Sequence, residues 1–310
     1  MTFNNIFNPK KSKSLIGHEN NFFFFKNLIL KKRLPKVTML TGEKGIGKST
    51  LINHLMHYYF DKNHYDDKNF NILDNTSFNS QNETNLFSNI IYLGSSNLSN
   101  VKIDDIRLLK DTLSKTPILK DKRFIILDDV ETFNSNSLNA LLKLIEEPSD
   151  KNYFILINNR TKSILETIKS RCLEIKILLD KTTREKIINH LIKHFDQPIV
   201  LDKNIIQTSP GNYLKFNFFF NEKKIDINDE FLTNLKVILS FYKKEKNMFY
   251  KDLLLYFTEY HLQRSRNDNF FNDIKFIDHR SNIIKDINNF FIYNLNQSTL
   301  LNSIDRKLNG

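Results

Sequence analysis

The stretch TGEKGIGKST, residues 41–50, decides how the rest of the sequence is interpreted. It contains the pattern G-x-x-x-x-G-K-S, with the apolar run VTML before it and the helix-favouring run STLINHLMHYY at its end. In such a loop backbone N–H groups surround phosphate oxygens, a lysine reaches the β- and γ-phosphates, and a hydroxyl ligates Mg²⁺. The stretch therefore predicts a nucleotide site made by Gly42, Gly45, Ile46, Gly47, Lys48, Ser49 and Thr50, with Ser49 on the metal.

The second half of such a site is a buried strand that ends in an acid. The run RFIILDDVE, residues 123–131, fits this description, and Asp128 is predicted to help hold Mg²⁺. Hydrolysis also needs a group that positions or deprotonates the attacking water. Asp129 stands at that place, one methylene shorter than Glu, and small misplacements can cost about 10²-fold in rate. Asp129 is thus either a weak catalytic acid or a solvated acid at the end of a strand.

Apolar runs alternate with helical patterns along the first part of the chain. Runs with strand character lie at 37–40, 89–93, 124–127, 153–157 and 173–177. Leu138, Leu141, Leu142 and Ile145 follow the third run at helical spacing, and Pro148 predicts the end of that helix near Glu147. Strands that alternate with helices in this way predict an α/β fold with a parallel sheet covered on both faces.

The strand pattern ends after residue 177, and the remainder reads as helical. Thr182 and Glu185 are spaced as a capping box, and TSPGN at 208–212 is a turn. From about residue 229 the patterns are helical and rich in Phe, Tyr, Leu and Ile. The predicted domains are therefore an α/β domain over 1–178, a small helical domain over 179–222 and a helical C-terminal domain over 223–310.

The segment 61–85 is polar and has no periodicity. It is interpreted as a long insertion or a partly disordered loop. The four rings of the run FFFF at 22–25 cannot all face one core from a single helix. Core packing is the default interpretation for them, and a subunit interface is the alternative for one or two.

Net charge, cysteine count and the length of the apolar runs limit the classes of protein to which this chain can belong. The net charge of +11 permits a polyanionic partner, although a chain rich in Lys, Asn, Ile and Phe is also typical of an AT-rich genome. One cysteine, Cys172, excludes an internal disulfide and fits a reducing cytosol. No apolar run approaches the ~20 residues of a membrane helix. We therefore expect a cytoplasmic protein without a membrane segment.

Longer motifs carry a family resemblance. SLNALLKLIEEPSDKNYFILINN and ILETIKSRC strongly resemble the AAA+ clamp-loader subunits of bacterial DNA polymerase III. LIGHENN, with VKIDDIRLLKDTLSKTP downstream, is similar to the δ′ members of that family. The resemblance covers 15–177 by motif and the remainder by layout. It implies an AAA+ P-loop domain that takes ATP and Mg²⁺, a small helical lid, and an all-α C-terminal collar domain that holds the subunits together.

The resemblance also implies roles for single residues. Asn159 falls where the family has a sensor residue near the γ-phosphate. Arg171 of the SRC motif resembles an arginine finger, which acts in trans on ATP bound to the adjacent subunit.

Three departures separate this chain from the family's motor subunits. Asn212 stands where related lids carry an arginine, Asp129 stands where motor subunits have Glu, and 61–85 lacks the cysteines of a zinc module. These departures lead us to expect no zinc, and a site that binds ATP weakly or without efficient hydrolysis.

By the same resemblance, the partners are γ/τ and δ clamp-loader subunits, the sliding clamp, and primer–template DNA within the assembled complex. Other interpretations remain open. The chain could be an ATP-hydrolysing γ/τ-like motor subunit of the same complex, or an unrelated P-loop enzyme such as a kinase. It could also be a DNA-binding module that uses its positive charge alone.

Overall fold

The computed structural model of the chain describes residues 7–73, 76–94, 101–117, 119, 122–267 and 273–309. The strands are β1 (Val37–Thr41), β2 (Tyr65–Asp66), β3 (Asn71–Ile72), β4 (Ile90–Gly94), β5 (Arg123–Asp128), β6 (Asn152–Asn158) and β7 (Leu173–Lys176). The helices are α1 (Glu19–Leu30), α2 (Lys48–Phe60), α3 (Ser77–Glu83), α4 (Ile103–Ser114), α5 (Ser135–Glu146), α6 (Glu166–Lys169), α7 (Lys181–His194), α8 (Pro210–Glu222), α9 (Phe231–Glu245), α10 (Phe249–Asn267), α11 (Asp273–Tyr293) and α12 (Gln297–Asn309). Single 3₁₀ turns lie at Pro9–Lys11, Lys62–His64 and Val130–Thr132.

The five predicted apolar runs form one parallel sheet with the strand order β4-β5-β6-β1-β7. Every residue of β1 and β6 is buried, as expected of strands covered on both faces. Alternate residues of β1 enter different cores, since Leu40 packs with the helices of one face and Met39 with those of the other. The sheet, together with the helical C-terminal region, confirms the predicted fold class.

The parallel arrangement fixes which loops can meet. The segments that follow β1, β5 and β6 all leave the carboxyl edge of the sheet. The residues that precede β7 lie at the amino edge, because Thr38 of β1 is in register with Leu173. Any chemistry that combines the phosphate loop with the acid after β5 is therefore confined to the carboxyl edge.

Helix α5 begins and ends as its sequence predicts. The side chain of Asn134 caps it by accepting a hydrogen bond from Ser137 N at 2.8 Å. Leu141 and Ile145 are buried in the core on one face of the sheet. The helix ends at Glu146, one residue before the predicted end, because the following proline disfavours helical backbone at Glu147.

The expectation of a partly disordered loop over 61–85 is wrong for the described residues of that segment. Strands β2 and β3 form an antiparallel hairpin, and α3 follows, capped by Thr76. Tyr65, Ile72 and Phe78 are buried in the main core, so the segment is an insertion with an apolar anchor of its own. The prediction that this segment holds no zinc stays a prediction.

An aromatic cluster ties this hairpin to helix α1. The ring of Phe22, fully buried, is stacked on Tyr65 at 5.3 Å and meets Phe70 edge-on at 5.6 Å between centroids. Phe25 is also buried, whereas Phe23 and Phe24 are 43% and 45% exposed. The FFFF run therefore divides between the core and the surface, as the sequence predicts.

Two buried histidines of α2 make the fold sensitive to acid. Burial lowers the pKa of His54 to about 3 and that of His57 to about 4. His54 bonds to Tyr65 Oη at 3.0 Å and to Ser12 O at 3.1 Å, and neither ring nitrogen of His57 has a hydrogen-bond partner among the described residues. Both rings are therefore neutral in the folded protein at neutral pH.

We expect the free energy of unfolding to fall as the pH drops from about 6.5 toward 4. The unfolded histidines take up protons below their ordinary pKa while the folded ones do not, so protonation favours the unfolded chain. Each histidine contributes roughly 2 kcal/mol to this loss between pH 6.5 and 5. Chemical unfolding at pH 7.5 and 5.0 measures it. His57→Leu should reduce the loss by about 2 kcal/mol, the share of that one histidine, and His64→Asn, at an exposed site, should leave it unchanged. An equal loss in His57→Leu and wild type would contradict this origin.

The chain divides into two compact units. The first comprises Met1–Leu191 with Ser209–Asn212, and the second comprises Ile192–Thr208 with Tyr213–Gly310. The predicted small helical domain, 179–222, thus has residues in both units, and the three-domain boundaries stay a prediction. No helix in the described part of the chain is both long and apolar enough to cross a membrane.

The second unit is helical. Asn217 of α8 is fully buried, and its side-chain oxygen accepts hydrogen bonds from Val200 N at 2.8 Å and Leu201 N at 3.1 Å. Aromatic rings fill its interior, with Phe219 in contact with Phe241 and Tyr250. The aromatic residues of the C-terminal region therefore serve its core.

Candidate nucleotide site

The phosphate loop, residues 42–47, joins β1 to α2 at the carboxyl edge of the sheet. Gly45 and Gly47 have φ of 81° and 108°, where residues with a side chain are strained. Ile46 between them is buried in the core, while Ser49 and Thr50 are half-buried in the first turn of α2. The predicted pattern thus forms a loop anchored by one apolar side chain, with a helix N-terminus directly behind it.

Lys48 points back into this loop. Its side chain is 3% exposed, and its Nζ donates to Gly42 O at 2.7 Å and Glu43 O at 2.8 Å. Burial lowers the pKa of Lys48 to about 8, against the opposing effect of nearby carboxylates. The amine is mostly charged at neutral pH and held by carbonyls, so an anionic phosphate would find a cation already positioned in the loop.

The side chain of His18 contacts the phosphate loop, and no sequence motif predicts this contact. Its Nε2 lies 2.7 Å from Ile46 O, and a carbonyl can only accept, so Nε2 carries the proton. A Cβ at Gly47 would lie 2.8 Å from the same nitrogen. Burial lowers the pKa of His18, which keeps the ring neutral. Gly47 is therefore needed both for its backbone conformation and for the space that His18 occupies.

Asp128 lies at the end of β5, as predicted, with both carboxylate oxygens engaged. Its Oδ1 accepts a hydrogen bond from Asp129 N at 2.9 Å, and its Oδ2 accepts one from Tyr92 Oη at 2.5 Å. Burial, with the charge of Asp129 added to it, raises the pKa of Asp128. Tyr92, in the middle of β4, is a residue that the sequence analysis did not identify.

The structure brings Asp129 and Asn159 together. Asn159 Nδ2 donates to Asp129 Oδ1 at 2.5 Å, and Asp129 has a left-handed backbone with φ of 55°. Aspartate tolerates this conformation better than most residues do. A carboxylate bonded in this way is oriented by its neighbour, so Asp129 is not a freely solvated acid at the end of a strand.

Glu131 underlies this pair and was also missed by the sequence analysis. It is 4% exposed, and its Oε1 accepts from Asn159 N at 3.1 Å and Thr161 Oγ1 at 2.8 Å. The buried carboxylate fixes the loop that carries Asn159. The only hint in the sequence is that Glu131 is the third acid of the run DDVE. The two acids before it, Asp128 and Asp129, were assigned to the site instead.

The turn at Ser209–Asn212 packs directly on the phosphate loop. Ser209 Oγ donates to Lys44 O at 2.5 Å, and Gly211 N donates to Gly45 O at 3.0 Å. A Cβ at Gly211 would lie 2.8 Å from Gly45 O, so the two backbones touch. Asn212 stands at the position where the family resemblance implies a missing arginine, and its Oδ1 lies close to Gly45.

Arg171 lies away from this site. It precedes β7 at the amino edge, about six strand residues or roughly 20 Å from Gly42. Its Nη2 is paired with Glu146 Oε1 at 2.8 Å, its Nη1 donates to Thr167 O at 2.8 Å, and its side chain is 35% exposed. Arg171 is therefore not combined with Lys48 and Asp128 in one site of this chain.

The residues present fit a nucleotide with Mg²⁺. The loop, the buried cation of Lys48 and the N-terminus of α2 suit phosphate, and the Ser49 hydroxyl and Asp128 carboxylate are hard oxygen ligands of the kind Mg²⁺ takes. A bound magnesium nucleotide would bring a divalent charge to the buried carboxylate of Asp128, which now accepts only neutral donors.

Comparison with known proteins agrees with this geometry. The family model described as DNA polymerase III, delta subunit, matches residues 17–180. DNA polymerase III subunit gamma of Buchnera aphidicola subsp. Acyrthosiphon pisum is 26% identical over 191 residues, 59% of this chain and 49% of that protein. DNA polymerase III subunit delta′ of Pseudomonas aeruginosa is 36% identical over 74 residues, 24% of this chain and 23% of that protein. The matches therefore span about half or less of these relatives.

A solved structure extends the likeness over most of the chain. The gamma subunit-related protein of Thermotoga maritima covers 92% of this chain and 99% of its own, with a TM-score of 0.52 and 18% identity. At that identity the likeness shows the fold alone.

Proposed function

Because the chain belongs to the clamp-loader AAA+ family of DNA polymerase III subunits, we propose that it acts as a δ′-like subunit of a clamp loader. In this role it works in the cytoplasm with γ/τ and δ subunits to load the sliding clamp onto primer–template DNA. It binds ATP with Mg²⁺ weakly, without efficient hydrolysis, and offers Arg171 to ATP on an adjacent subunit.

The position of Arg171 carries this proposal. A guanidinium at the amino edge, roughly 20 Å from the chain's own phosphate loop, cannot neutralise charge on the chain's own nucleotide. It is partly exposed, and its pair with Glu146 is of the surface type that contributes little to stability. If Arg171 left Glu146 to bind a phosphate on an adjacent subunit, the fold would lose little stability, as an arginine that acts in trans requires.

The chain's own site supports the second half of the proposal. Asp129 is shorter than the glutamate of the motor subunits and is held by Asn159. The turn on the phosphate loop offers an amide, Asn212, in place of a cation. A site that lacks a glutamate at the position of Asp129 and an arginine at the position of Asn212 can still bind phosphate. It has lost two groups that would promote cleavage of the phosphate.

Lys48→Ala should weaken nucleotide binding by the isolated chain at least tenfold. The substitution removes a charge-assisted hydrogen bond to phosphate, which is worth about 1.5–3 kcal/mol. Titration of a fluorescent ATP analogue measures the affinity. Lys44→Ala, in the same loop but outside the fixed positions of the pattern, is the matched control for net charge and should bind nearly as wild type does. Equal affinity in Lys48→Ala and wild type would remove this loop from the nucleotide site.

A γ/τ-like motor subunit is the second candidate, because the match to the Buchnera gamma subunit covers more of the chain than the match to the Pseudomonas delta′ subunit does. The two candidates differ in a simple measurement. A motor subunit hydrolyses ATP at its own site, so steady turnover by the isolated chain that is abolished in Lys48→Ala would favour this second candidate. Binding without turnover favours the δ′-like role.

A further inference from the structure

The contact between Tyr92 and Asp128 is unusual for a carboxylate that the motif assigns to Mg²⁺. Strands β4 and β5 are parallel neighbours, with Tyr92 opposite Ile126 and Gly94 opposite Asp128. The phenol must therefore reach forward by two residue positions along the sheet to meet the carboxylate. It does so at 2.5 Å, a short distance for a hydrogen bond to a charged oxygen.

Gly94 makes this reach possible. A Cβ at position 94 would lie 3.2 Å from Asp128 Cβ, 3.2 Å from Tyr92 Cε1 and 3.4 Å from Tyr92 Oη. These distances are at or below ordinary contact, so any other residue would push the phenol or the carboxylate away. The absence of a side chain at Gly94 thus provides the space in which the ring of Tyr92 lies across the end of the strand.

Lys10 holds the other end of the arrangement. Its Nζ lies 5.3 Å from the centroid of the Tyr92 ring, and the same ammonium donates to Asn82 O at 2.8 Å and Asn85 Oδ1 at 2.6 Å. A cation over an aromatic face is attracted by the electrons of the ring, so Lys10 helps to hold the ring of Tyr92 in place. Lys10 therefore links the insertion that begins after α2 to the ring that engages Asp128.

We infer that Tyr92 competes with Mg²⁺ for the carboxylate of Asp128, and so limits how much the metal strengthens nucleotide binding at this chain's own site. Each oxygen of this carboxylate accepts one hydrogen bond, Oδ1 from Asp129 N and Oδ2 from Tyr92 Oη, so the phenol occupies part of its capacity to accept. A hydrogen bond to a charged group is stronger than one between neutral groups, and its loss would oppose metal binding. The inference rests on the nucleotide-binding part of the proposed function and not on Arg171.

Tyr92→Phe tests the competition, because it removes the hydroxyl and keeps the ring. The measurement is the affinity of the full-length chain for ATP in excess Mg²⁺ and in EDTA. We expect the gain in affinity due to Mg²⁺ to rise about tenfold in Tyr92→Phe, with the affinity in EDTA unchanged. Gly94→Ala should raise the gain by a smaller factor, because its Cβ would crowd the phenol and the carboxylate and so strain the hydrogen bond between them. Tyr153→Phe, at the amino edge of the sheet, is the control and should match wild type.

An unchanged or smaller gain in Tyr92→Phe would overturn the competition, whatever the result for Gly94→Ala, because only Tyr92→Phe removes the hydroxyl itself. That result would not touch the role of Arg171, because that role is read from the rate at a neighbouring subunit. Loss of the Arg171 effect, in turn, would leave the metal dependence of the isolated chain as it is. The two proposals therefore fail separately.

Discussion

In a clamp loader reconstituted with γ/τ and δ subunits, Arg171→Ala is expected to slow ATP cleavage at the adjoining subunit by about 10³-fold or more. The guanidinium would neutralise charge on the transferring phosphoryl group, and no side chain of the variant replaces it. Rapid measurement of phosphate release, with clamp and primed DNA present, should show the loss of that one site's share of the first turnover.

Lys169→Ala is the matched control for this experiment. Lys169 is a cation two residues away, paired with Glu166 at 2.6 Å, and it lies outside the SRC motif. We expect it to leave the first turnover intact, and assembly of each complex is checked by gel filtration. If Arg171→Ala assembles and releases phosphate as wild type does, the finger role is refuted and the pair with Glu146 becomes an ordinary surface salt bridge.

Phe22→Ala is expected to lower the free energy of unfolding by about 3–5 kcal/mol. The ring is fully buried and in contact with Tyr58, Tyr65 and Phe70, so its removal leaves a cavity beneath the hairpin formed by β2 and β3. Urea unfolding followed by circular dichroism gives the loss. Limited proteolysis at 61–73 should show earlier cleavage of the hairpin, because the hairpin loses its main apolar anchor.

The neighbouring Phe23→Ala is the control, because its ring is 43% exposed. A loss within about 1 kcal/mol is expected there, since an exposed side chain has little transfer free energy to give up. Equal losses in the two variants would mean that the insertion is not built on Phe22. The comparison tests directly the finding that the described residues of the insertion, 61–73 and 76–85, are folded.

The sheet and the phosphate loop could be predicted from local sequence patterns, because each depends on residues close in sequence. The local sequence determines the local structure in three places: the run VTML, the glycines at 42, 45 and 47, and the apolar stripe of α5. The insertion at 61–85 escaped prediction for the opposite reason. Its buried residues Tyr65, Ile72 and Phe78 do not form a periodic pattern, and two of them meet residues of α1 and α2: Tyr65 meets Phe22 and Tyr58, and Phe78 meets His57.

The missed residues of the site share one physical feature, which is that their partners are distant in sequence. His18 meets Ile46, and Tyr92 meets Asp128 36 positions away. Glu131 bonds the loop of Asn159 from 28 positions away. No spacing rule connects such pairs, since only the order of the strands in the sheet brings them together. The sequence analysis therefore identified the motif residues of the site and missed the residues that contact them.

A comparison of two variants in one assay tests most directly the claim that this chain serves ATP on a neighbour and only holds ATP of its own. The first turnover of phosphate release is measured in complexes that contain either Lys48→Ala or Arg171→Ala of this chain, with all other subunits wild type. We predict that Lys48→Ala keeps the full first turnover and that Arg171→Ala loses the share of one site. The reverse pattern, with loss in Lys48→Ala and none in Arg171→Ala, would contradict the claim and identify the chain as a motor subunit.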